Sequence, residues 1–165
     1  FNQTIRQSTN QTIGFTMFCF SYGSNMASRY LRKYCPSAAP VMRADLPNYR
    51  VEFRRFSTDM QGGISSIMEA PGEMVRGVIY EIPEQEVKAL DILEDIPQGL
   101  YRRDTFLVLG EDDRWHHADL YRVVNPSGPY DPASKYIDMM IEGAREHDLD
   151  PAYIDHLESL RDNLA

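Results

Sequence analysis

Cysteine is nearly absent: the 165 residues hold two, Cys19 and Cys35. A small secreted module that relies on disulfide staples carries many more, so both are expected to be reduced thiols in a cytoplasmic protein. No apolar run approaches the roughly 18 residues that cross a membrane as a helix. A basic segment followed by an apolar one is also missing from the start of the sequence, so no secretory signal is expected. Positive charge is scarce. Lys and Arg number 17 against 25 Asp and Glu, a net charge of −8. Such a chain is poorly suited to non-specific nucleic-acid binding, which rests on neutralising phosphates. It is equally poorly suited to an anionic membrane surface. No Gly-x-x-x-x-Gly-Lys phosphate loop and no Gly-x-Ser-x-Gly nucleophile turn occurs.

What remains is an ordinary globular balance, 42% hydrophobic and 25% charged, in a length typical of one domain. Residues 1–16 stand apart: rich in Gln, Asn and Thr, with Arg6 as the only charge. They are expected to be a tag or other foreign extension, and residues 17–165 a single domain. The sequons at Asn2 and Asn10 carry little weight without a secretory signal.

From Phe15 to Phe20 the chain is β-prone and ends in Ser21-Tyr22-Gly23-Ser24-Asn25, a tight turn. Ser24 or Asn25 is placed to cap a helical segment over Met26–Tyr34. Strands are expected over Arg50–Phe56, Ile64–Met68, Met74–Ile82, Tyr101–Leu109 and His116–Val124, the last two forming a hairpin. Pro71-Gly72-Glu73 reads as a turn. Pro83–Asp95 reads as a helix with acids in its first turn, and Ala133–His147 and Pro151–Asp162 as two further helices. The order predicts an α+β fold: a small mixed barrel or sheet of about six strands, a central helix and two C-terminal helices.

Two features could carry chemistry. In the helix Pro83–Asp95, the 3.6-residue period brings Glu94 onto the stripe of Val87 and Leu90. A carboxylate facing inward must be paired, hydrogen-bonded or protonated, and burial lifts its pKa toward the range useful for proton transfer. The other reading leaves Glu94 in a fraying last turn that reaches water. The second feature is the turn Ser21–Asn25. Its backbone N–H groups could hold a carboxylate or a developing oxyanion, or it is a plain capped turn. The remaining candidates are weaker. His116 and His117 point to opposite faces of a strand and cannot easily share one metal ion, so no metal is expected. Cys19 lies in a strand interior and reads as core. Ser24 has no base visible in sequence. Arg29, Arg43, Arg54, Arg55 and Arg103 could meet an acidic part of a ligand or simply lie at the surface.

Taken together, Phe20-Ser21-Tyr22-Gly23-Ser24-Asn25, Gly62-Gly63-Ile64, Gly77-Val78-Ile79-Tyr80, Leu90-Asp91-Ile92-Leu93-Glu94, Gly99-Leu100-Tyr101 and Tyr136 with Gly143-Ala144 resemble the γ-glutamylcyclotransferase family, the AIG2-like group. The resemblance runs from Met17 to about Leu160. It implies a barrel-based α+β fold and a cofactor-free enzyme that cyclises a γ-glutamyl group to 5-oxoproline and releases the amine it carried. It also implies roles: Glu94 as general acid and base, Tyr22, Gly23, Ser24 and Asn25 as the substrate-holding loop, and Tyr101 and Tyr136 as pocket tyrosines. The expected partner is a small γ-glutamyl molecule, an amino-acid or amine derivative. One departure stands out, since Asp95 follows Glu94 where a Gly is common. The alternative function is a non-catalytic module that binds a carboxylate or small amide.

Overall fold

The computed structural model describes residues 14–164. Five strands close into a barrel: β1 (Thr16–Ser21), β2 (Ala39–Ser57), β3 (Gly62–Pro83), β4 (Tyr101–Gly110) and β5 (Trp115–Val123), in the order β1-β3-β2-β4-β5. All neighbours are antiparallel except at the closure, where β1 and β5 pair in parallel at Cys19 and Asp119. The α+β class and mixed barrel expected from sequence are present.

The strand count is five rather than six. Ile64–Met68 and Met74–Ile82 belong to one long strand, β3, because Pro71-Gly72-Glu73 is a corner within a strand pair. Pro47 faces Met74 and Tyr49 faces Glu69, so the extra residues of β3 bulge outward. Asn48 fills the break, its side-chain oxygen accepting from the Gly72 N–H at 3.1 Å. Bulges of this kind bend a strand without ending it, and a barrel needs such corners to close.

Alternation along the strands divides the core in two. Phe20, Tyr22, Leu46, Ile67, Val75, Ile79, Val108 and Leu120 form a cluster drawn from all five strands and no helix, which fills the barrel. The residues between them point the other way. Cys19, Val78, Tyr80, Ile82, Tyr121 and Val123 pack against the helices. Strands buried on both faces read as nearly continuous apolar runs, which is why β1 and the end of β3 look so hydrophobic.

Four helices cover that outer core: α1 (Ser28–Leu31), α2 (Glu84–Leu93), α3 (Ser134–Glu146) and α4 (Pro151–Asp162). Helix α4 starts as expected, with Pro151 in its first turn and Asp150 accepting from the Ala152 N–H at 2.8 Å. The segment after the Tyr22–Asn25 turn departs from expectation. It forms a single 3-10 turn, Ser24–Met26, and only then the short α1, because Ala27 is extended between them. Neither Ser24 nor Asn25 caps it; the residue before the turn is Gly23, and no side-chain cap is made. The Met26 carbonyl instead accepts from the Tyr80 hydroxyl at 2.8 Å.

The expectation for residues 1–16 falls mainly on residues 1–13, which lie outside the described residues. Thr16 pairs with Pro83 in the barrel. No described helix is long and apolar enough to cross a membrane.

Candidate active site

β1 delivers the chain to the rim of the barrel, and the 3-10 turn that follows folds over the opening. Ser21, Tyr22, Gly23, Ser24 and Asn25 line a narrow cleft there, with Glu94 from the end of α2, Tyr101 from β4, Tyr136 from α3 and Ser65 from β3. The seven residues to which the resemblance gives roles, Tyr22, Gly23, Ser24, Asn25, Glu94, Tyr101 and Tyr136, are therefore at one place. The fold brings Asn25 and Glu94, 69 residues apart, into direct contact: the Asn25 amide Nδ2 donates to Glu94 Oε1 at 2.7 Å.

Glu94 lies one residue past α2, in the capping position of the helix. The two readings of its place both hold in part. It is at the helix end, and the 3-10 turn covers it in part, leaving it half-buried. Asp95 follows in the left-handed region, φ 51°, and ends the helix. Burial pushes the Glu94 carboxyl up to about 7 from an ordinary 4.5, and the nearby Asp95 and Asp91 add to the rise. The Asn25 amide and the Arg55 guanidinium oppose it. A carboxyl with that affinity changes charge readily at neutral pH, as a group that both takes and gives a proton must.

The cleft has a dense polar lining. Tyr136 and Ser65 share a hydrogen bond of 2.7 Å between their hydroxyls, and Tyr101 donates to the Ser65 carbonyl at 2.8 Å. The buried Tyr22 hydroxyl donates to the Tyr121 carbonyl. Burial holds the Tyr22, Tyr101 and Tyr136 hydroxyls well above their ordinary pKa, so they serve as neutral hydrogen-bonding groups. Ser21 Oγ and Asn25 Oδ1 are buried and have no hydrogen-bond partner among the described residues. Buried polar atoms are normally satisfied, and these two border the cleft.

Two glycines allow the turn to sit where it does. A Cβ on Gly23 would lie 2.4 Å from the Tyr136 hydroxyl oxygen and 2.7 Å from Ser65 Oγ. A Cβ on Gly143 of α3 would lie 2.5 Å from the backbone of Met26 and Ala27. The first glycine lets the chain pass the tyrosine, and the second lets α3 press directly on the 3-10 turn.

Ser65 and Tyr121 complete the lining and were not selected from sequence; Ser21 belongs to the turn that was, and Arg55, one of five arginines offered there for an acidic ligand, lies in the adjoining groove. Ser65-Ser66 is a small polar pair inside an apolar strand, a signal that buried polar partners are nearby. Cys19 lines the cleft from below, but burial pushes its thiol up to about 12, leaving it a poor nucleophile. Cys19 and Cys35 are both free and buried. His116 bonds Asp112 at 2.9 Å away from the cleft, and no cluster of three metal-ligating side chains occurs among the described residues.

A family model described as the AIG2-like family matches residues 74–157, a stretch that includes Glu94, Tyr101 and Tyr136. The chain belongs to the AIG2-like family. Similarity extends upstream of that stretch. The γ-glutamylcyclotransferase of Mus musculus is 28% identical over 155 residues, covering 91% of this chain and 81% of its own. That of Homo sapiens is 28% identical over 149 residues, covering 87% and 78%. A solved structure named γ-glutamyl cyclotransferase superimposes with a TM-score of 0.84 at 25% identity, covering 88% of each chain. This AIG2-like protein thus has the γ-glutamylcyclotransferase fold and is an enzyme of that group.

Proposed function

We propose that the protein cyclises a γ-glutamyl amide to 5-oxoproline and releases the amine, with Glu94 moving the proton. The observation that carries this reading is the contact between Asn25 and a half-buried Glu94 whose carboxyl is poised at about 7. The similarity to γ-glutamylcyclotransferases over 91% of the chain supports the reaction class.

The chemistry requires two proton movements. The α-amine of the γ-glutamyl unit loses a proton and its nitrogen attacks the γ-carbonyl carbon of the same molecule. The bond from that carbon to the amide nitrogen then breaks, and the departing nitrogen gains a proton. Glu94 as carboxylate accepts the first proton and, as the acid, returns it to the leaving amine. No net proton is consumed. Attack within one molecule makes geometry the main lever: holding the substrate bent brings a large effective concentration of nucleophile.

The remaining groups act as holders. Asn25 Oδ1, an acceptor left open, receives a hydrogen of the α-amine while Asn25 Nδ2 fixes Glu94. The N–H groups at the start of a helical turn have no partner within it, and in the Tyr22–Asn25 turn they donate to the negative oxygens of the substrate. Tyr101, Tyr136, Ser65 and Ser21 shape a polar pocket for the glutamyl carboxylate and chain. No step calls for a metal or an organic cofactor.

The test is product analysis by mass spectrometry on a panel of γ-glutamyl amino acids, γ-glutamyl amines and glutathione. Formation of 5-oxoproline in step with free amine supports the proposal. Free glutamate as the product would make the enzyme a hydrolase and refute it. Binding of these compounds with no product would replace it with the binding-module reading.

A further inference from the structure

Glu94 borders a second space as well as the cleft. Ser24, Glu94, Tyr101 and Tyr136 line both the narrow inner cleft and an outer groove of about 240 Å³ that opens to solvent. The inner cleft is polar and small. The outer groove is walled by Tyr30, Phe56, Met60 and Leu93. A γ-glutamyl head held in the inner cleft with its scissile nitrogen at Glu94 directs the departing portion into this groove.

The charges of the groove are unbalanced. Arg55 is the one cation among its lining residues, against the carboxylates of Asp59, Asp95 and Glu94 itself. Arg55 is already engaged: its Nη2 donates to Asp95 Oδ2 at 3.0 Å, and its guanidinium lies 5.6 Å from the centre of the Tyr101 ring. A leaving portion that carries a carboxylate meets the Arg55 charge only beside Asp95, which already neutralises it through Nη2, and it also faces Asp59. A leaving portion with an apolar body and no carboxylate meets the apolar walls without that cost.

Resting on the cyclisation reading above, we propose that the outer groove is the leaving-group subsite, and that the Arg55–Asp95 pair there selects γ-glutamyl amides of apolar amines over γ-glutamyl amino acids. Asp95 is the specificity-determining residue. It acts on the departing half of the substrate, by repelling a carboxylate and by neutralising the guanidinium that would attract one.

A matched pair of substrates tests this. γ-Glutamyl-n-butylamide and γ-glutamyl-norvaline differ only by the carboxylate on the leaving portion. The wild type is expected to show a kcat/KM at least tenfold higher for the butylamide. Asp95→Asn removes the charge and keeps a residue type that accepts the left-handed backbone at φ 51°. It is expected to narrow the ratio about fivefold or more, through a lower KM for the norvaline compound. Because both substrates are compared on one enzyme, any change in Glu94 affinity for protons cancels from the ratio. Equal or better use of the norvaline compound by the wild type would overturn the inference. So would a ratio that Asp95→Asn leaves unmoved, with 5-oxoproline still formed from both. Absence of 5-oxoproline from either compound and from every other γ-glutamyl amide marks the failure of the cyclisation reading itself, and this inference falls with it.

Discussion

Replacing Glu94 by Gln has an effect on stability that does not depend on knowing the substrate. The Glu94 carboxyl goes from 4.5 to about 7 on folding, mainly by burial. The folded state therefore holds this proton more tightly than the unfolded chain. Stability from that site is complete below about pH 4.5 and is lost as the pH rises through about 7. Each pKa unit is worth 1.36 kcal/mol, so the carboxylate costs the fold about 3 kcal/mol at pH 8. Gln is neutral at every pH, and its side-chain oxygen still accepts from Asn25. Glu94→Gln should match the wild type near pH 4.5 and exceed it by about 3 kcal/mol at pH 8. For a domain of this size that is a melting-temperature gap of roughly 6–12 °C. Thermal denaturation of both proteins at half-unit pH steps measures it, and titrations shared by the two cancel in the difference. A gap that stays constant between pH 4.5 and pH 8 would refute the claim that Glu94 is buried at a cost.

Three further outcomes follow from the same geometry. The acid limb of kcat/KM against pH should fall near 7 rather than near 4.5, because the free enzyme must hold Glu94 as carboxylate to begin; steady-state rates from pH 5 to pH 9 locate it. Asn25→Ala removes a hydrogen bond that favours the carboxylate, so that limb should move to higher pH and kcat/KM should drop by about 10–100-fold, on the order of a lost charge-assisted hydrogen bond. Gly143→Ala sets a methyl 2.5 Å from the Met26–Ala27 backbone; it should cost about 1–3 kcal/mol and reduce turnover by displacing the 3-10 turn, which chemical denaturation and a rate assay on the same sample resolve.

Much of this arrangement could be read in the sequence, because the decisive signals are local. The turn at Tyr22–Asn25 is written in its own residues, as are the Pro-led helices and the β4–β5 hairpin. The period of α2 put Glu94 on the inward stripe while its place in the last turn pointed to water, and the structure has it half-buried, one residue past the helix. Other features depend on distant partners. Pro71-Gly72 looks like a turn until Asn48, on the neighbouring strand, turns it into a bulge. Asn25 has the look of a helix cap, but its side chain is claimed by Glu94. The helix expected over Met26–Tyr34 breaks at Ala27 because Tyr80 takes the Met26 carbonyl. Arg55 is one of many arginines until β2 and the end of α2 bring it to Asp95. Long-range pairing of this kind leaves no periodic trace.

The proton shuttle at Glu94 is tested most directly by turnover. Wild type and Glu94→Gln should be compared at pH 7.5 on one γ-glutamyl amide that the wild type uses, with 5-oxoproline quantified by mass spectrometry. A folded Gln variant is expected to lose about 10²–10⁴-fold in kcat, the range for removing a general acid–base group. A folded variant that forms 5-oxoproline at a rate near that of the wild type would contradict the account.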